Sequence, residues 1–310
     1  MPDSKPATHH LQDKGTPVTD LITQLIINGF VSGARYGLVA LGFALVLSVS
    51  GYIHFAHGAI CLIAGYVFYS LWVQLAMPWP VAGLGTMAAG IALALFAYLA
   101  VYRQVPRKSA HGVFICALGM MIFLENSAQL FWGSESLSLR AGGQGASYLI
   151  GQAVLTDIGL ATIVTAIALL AVMVCFMRAT RTGRAMRAIA DHRDMANVVG
   201  INVQRITIVA FVISAILAVP AAVLAGLDEG LVPHLGTELI LSAVAATIIG
   251  GIGSLSGAVI GGLLIGIVQN LAAGWLPTSW MNSITFLAMF MFIAFHPSGL
   301  FGKKLTQVEV

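Results

Sequence analysis

Few residues of this chain could do chemistry, and each also has a plainer use. His54 and His57 flank Phe55-Ala56 ahead of an apolar run that opens at Gly58. Two imidazoles at i, i+3 could hold a metal, but no carboxylate or cysteine stands beside them in sequence, so the expectation is a hydrogen-bonded turn and no metal site is assigned. Ser254 and Ser256 lie among glycines, and with His296 as base they are the candidates for an intramembrane serine protease. His296 adjoins Pro297 at the edge of an apolar run, and serines among glycines usually serve packing, so no catalytic residue is assigned. No Gly-x-x-x-x-Gly-Lys-Ser/Thr phosphate loop occurs. The segment Gly299-Leu300-Phe301-Gly302-Lys303-Lys304 has the wrong spacing, which excludes ATP hydrolysis by that route. Arg35, Glu125, Asn126 and Gln129 lie inside apolar runs, where an unpaired charge costs about 3 kcal/mol on insertion scales. Arg35 and Glu125 are the only opposite charges well inside such runs. They are candidates for a buried structural pair, a solute contact or the coupling residues of an ion-driven carrier.

The elements that must position these residues follow from composition. The chain has 310 residues, 58% hydrophobic and 9% charged, against about 25% charged in soluble domains. Mean hydropathy is +0.92. A cytosolic enzyme and a disordered scaffold are excluded, and an all-α, polytopic membrane protein remains. A net charge of +3 is too small to indicate a nucleic-acid partner. Cys61, Cys116 and Cys175 sit in apolar runs and read as small hydrophobes. Residues 1–20 are polar, with His9 and His10 expected in solvent, and form a tail expected to be flexible rather than a cleaved signal peptide. Residues 21–302 are expected to form one transmembrane domain, and 303–310 a C-terminal tail.

A spanning helix needs about 20 apolar residues. Gly58–Met77, Val81–Tyr102, Gly112–Trp132, Ile158–Met177 and Ile206–Leu227 fit, and Trp280–Phe295 is short. Leu21–Ser50 is too long for one upright helix, and a strongly tilted or broken one is expected. Leu239–Trp275 is interrupted by Gly250-Gly251-Ile252-Gly253-Ser254-Leu255-Ser256-Gly257, so two short helices around a glycine break are expected. The total is eight or nine membrane segments. Arginines crowd 178–205 and bases recur in 102–111 and at Lys303-Lys304, whereas 227–238 holds three acids and no Lys or Arg. The basic loops therefore face the cytoplasm; the side of the N-terminus stays open.

Gly29, Gly33 and Gly37 form one i, i+4 ladder, and Gly253, Gly257 and Gly261 a second. Such ladders let helix backbones approach closely. Irregular backbone at Gly250–Gly257 must face protein or water and could line a path. In the loop 178–205, apolar spacing from Ala185 to Ala196 predicts a short amphipathic helix stopped by Gly200. It lies either on the lipid surface or against a cytoplasmic subunit.

Five motifs in order complete the reading: Asn28-Gly29 with Gly33 and Tyr36; the turn His54-Phe55-Ala56-His57-Gly58; the segment 183–201; Gly250-Gly251-Ile252-Gly253-Ser254; and Pro297-Ser298-Gly299-Leu300-Phe301-Gly302. Together, from about Leu21 to Gly302, they resemble the inner-membrane permeases of branched-chain amino acid ABC importers, of the Liv-H type. The resemblance implies a multi-pass protein of the bacterial inner membrane that works by alternating access. Its partners would be a second, related permease, two cytoplasmic ATPase subunits that use the ATP, and an extracytoplasmic solute-binding protein. No cofactor would be bound by this chain. The loop 178–205 becomes the coupling segment, with Arg184, Arg187, Asp191 and Arg193 in polar contact with the ATPase and Ala188, Ile189 and Ala196 buried there, before the stop at Gly200. The sequence also departs from the family pattern: His54 replaces a common asparagine, Glu125 a common glutamine, and Ser256 a usual proline. Because such permeases also serve urea, short amides and aromatic acids, the substrate stays open.

Overall fold

The computed structural model describes residues 18–105, 110–139 and 146–302. The expected tails therefore fall outside the described residues, apart from 18–20, and so do Arg107, Lys108, Lys303 and Lys304. The described chain is helical almost throughout, with eight helices long and apolar enough to cross a membrane and one shorter apolar helix.

The first long run is a single unbroken helix, α1, Val18–Ser50. Its 33 residues extend about 50 Å, so it must tilt or protrude from a hydrocarbon layer of about 30 Å. The next helices are α2 (Ala56–Tyr69, extended by a π turn to Gln74), α3 (Trp79–Phe96, with π and 3-10 turns to Gln104) and α4 (Ala110–Trp132). A two-stranded hairpin follows, β1 (Ser147–Ile150) antiparallel to β2 (Ala153–Thr156), which the apolar pattern did not predict. Then come α5 (Asp157–Ala179), the short α6 (Arg181–Asp191) and α7 (Arg193–Val198), and α8 (Val203–Glu229). The second long run divides into α9 (Leu235–Gly250) and α10 (Leu255–Ala273), and α11 (Met281–Phe295) is the last helix among the described residues.

The glycine break is narrower than expected. Gly250 belongs to α9 and Gly257 to α10, while Gly251 and Gly253, at φ +101° and +91°, turn the chain between them. Only glycine adopts that region without strain.

Polarity of the bundle follows from two contacts. Arg193, in the basic loop, donates from Nη1 to the carbonyls of Val49 and Ser50 at 2.8 and 3.1 Å, so the C-terminal end of α1 lies at the basic-loop end of the bundle. At the other end, the Gln24 side chain donates to the Val154 carbonyl and accepts from its amide, at 3.0 and 2.7 Å. The start of α1 and the hairpin therefore lie together at the end of the bundle opposite the basic loop, the end that the excess of bases in that loop predicts to be outside.

The core is built from close backbone contact. A Cβ on Gly33 would fall 2.8 Å from the Leu263 Cα, and one on Gly266 would fall 2.3 Å from the Gly33 nitrogen. α1 and α10 thus run antiparallel, with Gly29, Gly33 and Gly37 of one against Gly262 and Gly266 of the other. The ladder expected at 253, 257 and 261 faces elsewhere. Gly257 and Gly261 rest on Gly250 and Ala246 of α9, and a Cβ on Gly253 would meet nothing within 4 Å. Small residues let helices associate where lipid offers no hydrophobic drive.

Candidate functional site

Arg35 lies on α1, on the side of the bundle that faces the end of α8. The residue is 3% exposed. Nη2 donates to Glu229 Oε1 at 2.5 Å and to Ser32 Oγ at 3.3 Å, and Nη1 lies 3.4 Å from Asp228 Oδ2. The buried pair expected with Glu125 does not form. Glu125 instead accepts from Thr237 Oγ1, at 2.7 Å to Oε1 and 2.9 Å to Oε2, which ties α4 to the start of α9. The acids at 228 and 229 were visible as a cluster at the end of an apolar run. Their pairing with a residue nearly two hundred positions earlier had no local signal. Asn126 is exposed and bonds back to the Ile122 carbonyl at 2.7 Å, so it faces outward from this chain.

Two polar cavities flank the Arg35–Glu229 bridge, of about 340 and 320 Å³, with Ser32, Glu229 and Asn270 in the wall of both. The first reaches Gln24 and the hairpin at Val154. The second reaches Tyr36, Glu238 and Ser242. Charged and polar side chains thus gather on both sides of the bridge, at the hairpin end of the bundle.

The turn at His54 doubles back into the bundle. A Cβ on Gly42 would lie 3.0 Å from His57 Nε2, although Gly42 precedes the end of α1 by two turns. His54 Nδ1 is 2.8 Å from the Tyr102 hydroxyl, and both rings lie against Phe211. The start of α2 then meets the start of α9: a Cβ on Gly58 would fall 2.3 Å from the Gly236 carbonyl oxygen. Phe55 is partly exposed and Ala56 buried at that start. The motif thus builds a crossing of two helix N-termini, which only a residue without a side chain permits. Among the described residues no three His, Cys, Asp or Glu gather as a metal would need.

Ser254 caps α10, accepting from the Gly257 amide at 3.1 Å, and Ser256 Oγ lies 3.4 Å from it. Among the described residues no hydrogen bond joins either serine to His296, whose ring rests on Phe292. The break is covered by the chain's own end: the amides of Leu300 and Phe301 donate to the carbonyls of Ile249 and Gly250 at 2.9 and 3.0 Å. That reach-back had no signal beyond the glycines at 299 and 302.

The basic loop forms two helices where one was expected. Thr180 caps α6 through the Gly183 amide at 2.9 Å, and Gly183 sits so close to Phe176 and Met177 that a side chain would collide. The chain extends at His192, φ −151°, and resumes as α7. Gly200, φ +86°, ends it: the Gly200 amide bonds to the Asn197 carbonyl and that of Ile201 to Ala196, as in a Schellman stop. Ile189 and Ala196 are buried within this chain, alongside Met186. Arg184, Arg187, Ala188 and Asp191 face outward, while Arg193 is turned inward onto α1. Met195, Val198 and Val199 are 64%, 81% and 74% exposed, an apolar tip that the spacing did not single out.

A polytopic helical bundle with a polar cavity at one end and a rigidly mounted helix pair at the other is the architecture of a transport permease. A family profile described as the permease component of branched-chain amino acid transport systems matches residues 25–294, and the chain belongs to that family. It is 33% identical to the high-affinity branched-chain amino acid transport system permease protein LivH of Salmonella typhimurium and 34% identical to LivH of Escherichia coli K12, each over 92% of this chain and 96% of the relative. It is 31% identical to BraD of Pseudomonas aeruginosa over 92% and 97%. Among solved structures, a chain of PsaBC from Streptococcus pneumoniae, in complex with a Fab, superposes with a TM-score of 0.50 at 16% identity, covering 89% of this chain and 95% of that one. That likeness concerns the fold alone. The chain is a multi-pass membrane permease of an importer.

Proposed function

We propose that this chain is one of two permease subunits of an ABC importer that carries branched-chain amino acids across the cytoplasmic membrane. The observation that carries the reading is similarity to named branched-chain amino acid permeases over nearly the whole length of both chains. Solute would arrive on a binding protein at the hairpin end and meet the cavity beside Arg35. Two separate ATPase subunits would use the ATP, and this chain would bind no cofactor.

The outward face of α6, with Arg184, Arg187, Ala188 and Asp191, and the apolar tip at Met195, Val198 and Val199 would dock in the ATPase. Ile189 and Ala196 would support that face from within. Closure of the ATPases would move α6, and the tight Gly183 joint would pass that movement into α5, while Arg193 would pass it into α1. Glycine-mediated contacts would allow two packings of the bundle without refilling a core.

Reconstitution tests this. In proteoliposomes holding this chain, its partner permease and the ATPases, leucine uptake should require ATP and binding protein and persist when ion gradients are collapsed. Uptake without ATPase subunits that vanishes with the ion gradient would overturn the proposal.

A further inference from the structure

We propose that the cavity astride the Arg35–Glu229 bridge is a subsite for the zwitterionic head of a free amino acid, with Glu229 and Asp228 receiving its ammonium and Arg35 its carboxylate. The assignment rests on the reading of the chain as an amino-acid permease and adds to it the residues that contact solute.

The charge pattern carries it. Asp228, Glu229 and the Arg35 guanidinium line the first cavity, and Glu229 and Glu238 line the second, with His234 beside Glu238 at 3.5 Å. The side chains of Asp228 and Glu229 are 24% and 56% exposed, so a solute can reach them. Arg35 is buried in the cavity wall, where Nε has no hydrogen-bond acceptor and Nη1 has only the longer ion-pair contact with Asp228 at 3.4 Å. A guanidinium carries five N–H donors, and those on Nη2 already serve Ser32 and Glu229. Leaving buried charged donors unused is unfavourable. An arriving carboxylate would satisfy them, and charge-assisted bonds of that kind are the strong ones. Carboxylates alone would favour any cation and a guanidinium alone any anion. Side by side in one cavity they favour a molecule bearing both charges on groups attached to one carbon, as a free α-amino acid does.

The site also has room. Each cavity exceeds several waters at about 30 Å³ apiece. Few apolar side chains line the first one, Val31, Val154 and Leu155 among them, so the permease would grip the head and leave the side chain largely unread.

The test is isothermal titration of the detergent-purified importer assembly, without its solute-binding protein, using leucine, leucine amide and 4-methylpentanoate. Leucine should bind, and the amide (no carboxylate) and the acid (no amino group) should each bind at least tenfold more weakly. Glu229→Gln should weaken leucine binding tenfold or more. The exchange Arg35→Glu with Glu229→Arg keeps an ion pair and guards against simple unfolding; it should preserve the unfolding temperature and still lose leucine binding tenfold. An analogue that binds within tenfold of leucine, unchanged leucine binding in these variants, or no leucine binding to the unaltered assembly overturns the subsite. If ATP-driven leucine uptake persists in those cases, the transport reading stands and only the subsite falls. If uptake itself is absent, the transport reading falls.

Discussion

Gly33 of α1 and Gly266 of α10 meet backbone to backbone: a Cβ on Gly266 would fall 2.3 Å from the Gly33 nitrogen and 2.4 Å from its Cα. Neither helix can retreat without opening the seam along Gly29 and Gly37, so this contact fixes the distance between the two helices that flank the Arg35 cavity.

Gly266→Leu should therefore destabilise the bundle by about 3 kcal/mol or more, at or beyond the upper end of ordinary overpacking, because the obstruction is backbone and cannot repack. Gly253→Ala meets open space and carries only the strain of φ +91°, about 1–2 kcal/mol. Thermal unfolding of the purified protein in detergent checks both, and equal losses would contradict the seam.

Removing Arg35 leaves Asp228 and Glu229 without their guanidinium. Arg35→Leu should cost about 3–5 kcal/mol, as when one partner of a buried pair is lost. Glu229→Gln should cost less, because Glu229 is half exposed and Asp228 remains at 3.4 Å. Adding Asp228→Asn and Glu229→Gln to Arg35→Leu should recover most of the loss in the same unfolding assay.

Arg193 bridges the coupling loop to the end of α1. Arg193→Gln removes charged bonds worth about 1.5–3 kcal/mol. In proteoliposomes, ATP hydrolysis should continue while leucine uptake falls roughly tenfold. Parallel loss of both activities would place Arg193 in ATPase docking instead.

Exposed and buried side chains of α6 and α7 should separate two kinds of defect. Ala188→Glu and Val198→Asp, at exposed positions, should release the ATPase on co-purification and leave the permease monodisperse. Ile189→Glu, buried against Met186 and its neighbours, should aggregate the permease itself. Retention of ATPase by the Ala188 and Val198 variants would exclude this face as the docking surface.

Span number and the position of the break were legible because helix length against bilayer thickness is a strong constraint. The strand hairpin was not, since Ser147–Thr156 is too short for that test. The deeper limit was direction. α3 and α5 are apolar on every side yet mostly exposed in this chain, and with lipid outside and apolar side chains inside, a 3.6-residue period has little contrast to report. Hence the ladder at Gly29, Gly33 and Gly37 was readable, whereas its partner surface at Gly262 and Gly266 was not distinguished from the adjacent Gly257 and Gly261. Likewise Arg35 was recognisable as a charge needing a partner. Choosing Glu229 over Glu125 required knowing that α8 ends beside α1. In the loop, helical spacing located α6, and Gly200 its stop. The division at His192 depended on Arg193 turning toward α1, a tertiary pull without a local pattern.

Leu300 and Phe301 donate their amides to carbonyls of α9, and Gly299 and Gly302 press on Gly251. This closure makes the α9–α10 corner depend on a segment remote in sequence: without residues 299–302 the carbonyls of Ile249 and Gly250 would lose their donors, so a change far from the glycine break would loosen it as surely as a change within it.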